Sequence, residues 1–288
     1  MVLDYSNYEK NNKFYNGRER KLGIIVHNEN YMIKFQRREG TKKHFNHVSE
    51  YLGSHIFSIL GVKAQEAYLG KYKGEEVVLI KDFNKEGAFF VPFNELSDLL
   101  LDSDNDENFE YSFEDVIRLI KNNKKIDDVN KTVDTLWDIY IIDALIANAD
   151  RHGNNWGFIK KDNIHSLAPI YANDSSLFSD ISDDEVLNIL KDQDRINRKV
   201  YDLPVSPIKL EGKNSLYYEV ISSLKYEECN NALKRVVERV DLEKINTLID
   251  SVELVSSTRK RFYKRIIKER YEKILLASYK KLVGDNQE

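Results

Sequence analysis

Residues 148–155 read Asn-Ala-Asp-Arg-His-Gly-Asn-Asn, and their types suit the handling of a phosphoryl group. Asp150 offers a carboxylate that can orient or deprotonate an acceptor hydroxyl. Asn155, five residues on, offers a hard oxygen of the kind magnesium takes. Protein kinases place those two roles at this spacing, in H-R-D-x-x-x-x-N. Transfer of a γ-phosphoryl group needs an oriented nucleophile and cations on the phosphate oxygens more than covalent help, which explains the residue types. The plainer reading of the loop on its own is a capped surface turn rich in Asn, Asp and Gly.

Phosphates also need a cation from elsewhere in the chain. In Tyr-Met-Ile-Lys-Phe, residues 31–35, the alternation puts Met32 and Lys34 on the strand face opposite Tyr31, Ile33 and Phe35. A lysine on the cleft face of such a strand holds the α- and β-phosphates in kinases. Glu50 lies on the next helix, where it can pair with Lys34. Upstream, Phe-Tyr-Asn-Gly-Arg-Glu-Arg-Lys, residues 14–21, places Gly17 in a basic loop whose backbone N–H groups can face phosphate oxygens. That loop is neither a Walker A loop nor a G-x-G-x-x-G, and by itself it reads as an ordinary turn.

The elements that must position these groups follow from periodicity. Two β-rich runs, Leu22 to His27 and Tyr31 to Gln36, are joined by the turn-prone Asn28-Glu29-Asn30 and predict a hairpin. Phe45, Val48, Leu52, Ile56 and Ile59 fall at helical spacing. Two more strands flank Lys73-Gly74. From about residue 95 the pattern is helical: Ser112 and Asp115 resemble an N-terminal cap, and Thr135 to Asn148 is apolar nearly all round, the mark of a buried central helix that delivers the loop. Two short strands flank residues 161–163, and a long basic amphipathic helix runs from about Ser257 to Val283. Ten Lys/Arg against two Glu between Arg259 and Lys281 read as a solvated face.

With 288 residues, 41% hydrophobic and 32% charged, the chain has room for two lobes around a cleft. A formal charge of −4 gives no reason to expect nucleic acid. The single cysteine, Cys229, excludes an internal disulfide and has no flanking activation, and His152 lacks a second histidine at metal-ligand spacing. The polar N-terminus and the absence of a long apolar run point to a cytoplasmic protein without a membrane span.

Taken together, Asp143 to Ile159, Leu167 to Phe178 and Tyr15 to Phe35 resemble the HipA-like serine/threonine kinases, toxin components of bacterial toxin–antitoxin modules. The resemblance extends from about Tyr15 to Leu224, in a compact, short form. It implies an α+β, protein-kinase-like two-lobed fold: a small β-rich N-lobe at 1–92 and a larger helical C-lobe at 93–288. It further implies ATP and magnesium, with Lys34 on the nucleotide phosphates, Asp150 as catalytic base, His152 shaping the loop and Asn155 as a magnesium ligand. Residues 79–83 become a hinge that reads adenine through its backbone, including Lys81 and Phe83. The implied partners are a protein substrate, with translation components as the family's example, and a small helix-turn-helix antitoxin.

Two departures from the family bear on activity. The phosphate loop has no serine to be autophosphorylated. The family's metal-bridging aspartate follows the tyrosine of Pro-Ile-Tyr, where this chain has Ala172. Three readings stay open: an Asp→Ala replacement that silences transfer, a carboxylate supplied instead by Asp174, or a pseudokinase that binds nucleotide or a partner without transfer. A small-molecule phosphotransferase of the antibiotic type shares the Asp and Asn spacing and is the further alternative.

Overall fold

The structure, a computed structural model, describes residues 2–15, 19–84, 87–98 and 112–284. Its first part comprises β1 (Leu3–Asp4), β2 (Lys21–Val26), β3 (Glu29–Phe35), a small hairpin of β4 (Arg38–Glu39) and β5 (Lys42–Lys43), α1 (Asn46–Ile59), β6 (Ala67–Tyr72) and β7 (Glu75–Lys81). Five strands form one sheet in the order β1-β6-β7-β3-β2, antiparallel except for the β1 to β6 pair. The β2 to β3 turn is tighter than the sequence suggests. His27 and Asn28 both take positive φ, at 49° and 64°. That is the backbone of a two-residue turn whose twist matches the flanking strands, so β3 can begin at Glu29.

Register decides which side chains share a face. Lys34 stands opposite Lys21 on β2 and Val78 on β7, and Met32 stands opposite Gly23 and Ile80. Met32, Val78 and Ile80 pack with Tyr51 of α1, and Lys34 reaches Glu50 on the same helix. Tyr31, Ile33, Phe35, Val77 and Leu79 point the other way, into a separate cluster closed by Tyr5 and Tyr72. Period-two alternation sorts both sets, because successive side chains on a strand point to opposite faces.

The remainder comprises β8 (Ala88–Pro92), α2 (Phe93–Asp98), α3 (Phe113–Asn122), α4 (Val129–Ile146), β9 (Gly157–Lys161), β10 (Ile164–Leu167), α5 (Asp183–Leu190), α6 (Gln193–Tyr201), α7 (Tyr217–Ser223), α8 (Glu227–Val237), α9 (Leu242–Ser251), α10 (Ser257–Arg270), a π-helical stretch Tyr271–Leu276, and α11 (Ala277–Gly284). Here β8 pairs with β9, and β9 with β10, in a three-stranded sheet. β8 is therefore tied to the helical part although it precedes residue 93. The expected cap of α3 is present as a capping box between Ser112 and Asp115.

α4 starts earlier than its apolar run suggests. Asp128 caps it by accepting from the Lys131 amide at 2.9 Å, and the mostly polar first turns add only Val129 and Val133 to the apolar face. From Leu136 to Ile146 every residue of α4 is buried, so it is the spine of the helical part. Most charges on the basic C-terminal helix have partners: Arg259 with Asp183, Lys264 with Asp250, and Arg265 and Lys273 with Glu269. Among the described residues no helix is long and apolar enough to cross a membrane.

Candidate active site

Lys34 and Glu50 meet inside the cleft. The Lys34 Nζ lies 2.7 Å from Glu50 Oε2 and 3.4 Å from Asp174 Oδ2, and both Lys34 and Glu50 are almost wholly buried. Burial alone would discharge the lysine, but Asp174, Glu50 and Glu19 outweigh it and hold its pKa above the usual value. Glu19, within the basic loop, hydrogen-bonds to Asp174; burial and the Asp174 charge push its carboxyl up to about 7. Burial also opposes ionisation of Asp174, yet Lys34 and the Glu19 hydrogen bond keep its carboxyl below the usual range. Lys21 belongs to the same cluster, its charge disfavoured by burial and by Lys34 opposite. Like charges on directly opposed strand positions repel, so the three carboxylates are what permits this lysine pair.

The loop at 148–155 begins where α4 ends, at Ala147 in the left-handed conformation with its amide on Asp143 O. Asn148 Oδ1 accepts from the Asp150 amide at 3.2 Å, and the buried Tyr217 hydroxyl donates to Asn148 O at 3.0 Å. The carboxylate of Asp150 remains nearly half exposed, open to an acceptor. His152 Nε2 lies 3.4 Å from Asp150 Oδ1, and Asn155 Nδ2 donates to the Asp150 carbonyl at 2.5 Å and to its Oδ2 at 3.2 Å. Gly153 is required by a close approach: a Cβ there would lie 1.8 Å from Asn94 Oδ1, at the start of α2.

Residues 171–174 run alongside this loop. The Tyr171 hydroxyl donates to Asn154 O at 2.6 Å, and Asn173 is fully buried between α1 and the loop. Ala172 sits at φ 55°, a left-handed conformation that asparagine, aspartate and glycine adopt more readily than alanine. After that turn, Asp174 is the carboxylate that reaches Lys34.

The residues expected at the hinge divide. The Lys81 side chain stands on the outer sheet face opposite Tyr31, 2.7 Å from Glu29, and its amide is used by Glu66 O. Both its side chain and its N–H are therefore engaged within the sheet. The Phe83 ring stacks edge-on with Phe90 and lies 6.1 Å from Tyr171, so three aromatic rings gather beside the hinge. A cavity of about 510 Å³ opens there, lined by Lys13, Asn30, Asn84 and residues 87–90. Gly17 lies outside the described residues.

Several residues of the site lie within the quoted stretches but received no role from the sequence: Glu19, Lys21, Asp143, Arg151 and Asn173. Asp143 carried one usable signal, a carboxylate within an apolar helix, which demands a buried partner. That partner is Arg151. Metal chemistry fits the oxygens present. Asn155 commits its Nδ2 to Asp150, which leaves the Oδ1 to offer, and Asp174 adds a buried carboxylate. Among the described residues no group of three or more His, Cys, Asp or Glu could hold a metal. Two oxygen ligands suit magnesium, which takes its remaining ligands from phosphate and water, and do not make an all-protein cage.

Comparisons with known proteins bear on family and fold. The HipA-like C-terminal domain family matches residues 14–241. A serine/threonine-protein kinase of Helicobacter pylori, CtkA, is 31% identical over 284 residues, 95% of this chain and 86% of that protein. The crystal structure of the H. pylori proinflammatory kinase CtkA superimposes with a TM-score of 0.92 at 30% identity, covering 99% of this chain and 98% of that one. HipA from a Shewanella oneidensis toxin–antitoxin complex with HipB and operator DNA is 12% identical, with a TM-score of 0.60 over 99% of this chain and 74% of that one, a likeness of fold.

Proposed function

The chain belongs to the HipA-like C-terminal domain family, and from that membership we propose that it is a serine/threonine protein kinase transferring the γ-phosphoryl group of ATP, with magnesium, to a protein hydroxyl. One observation carries the reading: a buried lysine held between a carboxylate of α1 and a carboxylate of the segment beside the catalytic loop, with Lys34 Nζ at 2.7 Å from Glu50 and 3.4 Å from Asp174. Lys34 binds the phosphates, kept charged by its neighbours, and Glu50 fixes its direction. Asp150, half open to solvent, orients the acceptor hydroxyl and takes its proton, while His152 braces the loop. Asn155 and Asp174 would hold the magnesium, which would supply charge neutralisation at the phosphate oxygens. The backbone at Phe83 reads adenine.

Asp174 thus takes the place that the resemblance gives to residue 172. Its support is the contact with Lys34, which Ala172 cannot make. We also place the lobe division within the 82–87 link, earlier than residue 92/93, because β8 pairs with β9. The protein substrate is met in the cytoplasm, and a small helix-turn-helix antitoxin is the further partner that membership raises, to be sought by co-purification.

The test is transfer from radiolabelled ATP to serine and threonine in a bacterial lysate, by the chain as it stands and by Asp150→Asn, Asp174→Asn and Ala172→Asp. The expected pattern is transfer by the unaltered chain and its loss in the first two variants. Transfer only after Ala172→Asp would overturn the role of Asp174. Transfer by none of the four, in a lysate of the protein's own source, would overturn the kinase reading.

A further inference from the structure

Arg151 is almost wholly buried, and its guanidinium reaches four partners. It forks onto Asp143, with Nε to Oδ2 at 2.9 Å and Nη2 to Oδ1 at 3.0 Å. Its other N–H groups reach the carbonyl of Asn155 at 2.9 Å, the carbonyl of Tyr171 at 2.5 Å and Asn173 Oδ1 at 2.6 Å. Asn173 continues the path. Its amide donates to Glu50 Oε1 at 3.0 Å and its Nδ2 to Ser54 Oγ at 3.1 Å, while the other oxygen of Glu50 holds Lys34. α1 lies so close to this residue that a Cβ on Gly53 would stand 2.5 Å from Asn173 Cβ.

We infer that Arg151 is a positioning residue that holds Asn155 and Asp174 as one metal site, with Asn173 relaying that position to Glu50 and Lys34. The geometry bears on both metal-binding segments at once. Arg151 fixes the backbone of Asn155 directly, and it fixes residues 171 and 173 on the approach to Asp174. Without those bonds the left-handed Ala172 has less to hold it, and the two oxygen ligands lose their common anchor. Only a planar fork with five N–H donors can meet these acceptors together; an ammonium cannot. The inference rests on the proposed roles of Asn155 and Asp174.

A purely structural role, neutralising buried Asp143, makes a different prediction. The discriminating variant is Arg151→Met with Asp143→Asn, which removes both buried charges together. Asn173→Ala is the second variant and leaves the Arg151 to Asp143 pair intact, so folding survives in at least one background. Each is measured for metal-free ATP affinity, half-saturating magnesium, kcat and melting temperature. Loosening ligands through their supporting bonds should raise half-saturating magnesium and lower kcat, each by about 10- to 100-fold, with a smaller fall in metal-free ATP affinity because Glu50 still holds Lys34 directly. Arg151→Lys should recover only part of the loss. A folded variant with unchanged magnesium dependence and kcat, or full recovery by lysine, would overturn the inference. If Asp174→Asn alone leaves transfer intact, the role of Asp174 fails by itself, and the magnesium titration still decides the hold of Arg151 on Asn155.

Discussion

Asp174→Asn keeps the shape of the side chain and an oxygen ligand while deleting the charge, so it isolates what that charge does. At 3.4 Å from Lys34, the ion pair is worth about 5 kcal/mol by Coulomb's law at an effective dielectric near 20, before desolvation is subtracted. Little of that appears as lost stability, because Lys34 keeps Glu50 at 2.7 Å and is not left as an unpaired buried cation. A loss below ~2 kcal/mol is expected, or a few degrees in Tm for a chain of this size. The rate should respond far more. Removing one group aimed at developing charge costs about 3–4 kcal/mol elsewhere, a factor of roughly 10²–10³ in kcat. The assay is the initial rate of phosphate transfer at saturating ATP across a magnesium titration, with metal-free ATP binding measured in parallel. Metal-free affinity should hold or improve, since a negative charge beside the phosphates is gone. A kcat within threefold of the parent, or a loss matched by unfolding, would refute the reasoning.

Three further outcomes are expected. Glu19 has its carboxyl raised from 4.5 to about 7, so the folded chain keeps a proton that the unfolded chain releases, and stability falls as pH rises between those values. Glu19→Gln should flatten that slope in denaturation midpoints at pH 5 and 7.5 without nucleotide or metal; parallel profiles would count against the buried contact with Asp174. Ala172→Gly relieves a left-handed alanine, worth ~1–2 kcal/mol, against an entropy cost of ~0.5–1 kcal/mol, so calorimetry should show a Tm unchanged or higher by about 3 °C. A clear fall in Tm would show that the methyl group packs usefully there. Gly153→Ala drives a Cβ to 1.8 Å from Asn94 Oδ1, and the shift should cost ~1–3 kcal/mol of stability and reduce kcat. An unchanged Tm with unchanged kcat would show that Asn94 moves aside freely.

The sequence by itself determined what depends on neighbours along the chain. Asp150 and Asn155 share one loop, so their spacing alone predicts that they lie together, and Asn155 Nδ2 is indeed bonded to Asp150. Strand alternation alone puts Lys34 on the face away from Ile33, and helical spacing alone makes α1 and most of α4. Lys81 shows where local reading ends: its strand was legible, its face was not, because the face depends on register with Tyr31. The tertiary structure decided the rest. Arg151 joins residues 8 and 22 positions away, and Lys34 meets a carboxylate 140 positions distant. Whether position 172 or 174 faces that lysine depends on one left-handed residue and on the bonds that hold its neighbours, none of which leaves a period or a motif in the sequence. Local conformation is encoded locally, whereas a buried charge finds its partner only along the path that the packed core imposes on the chain.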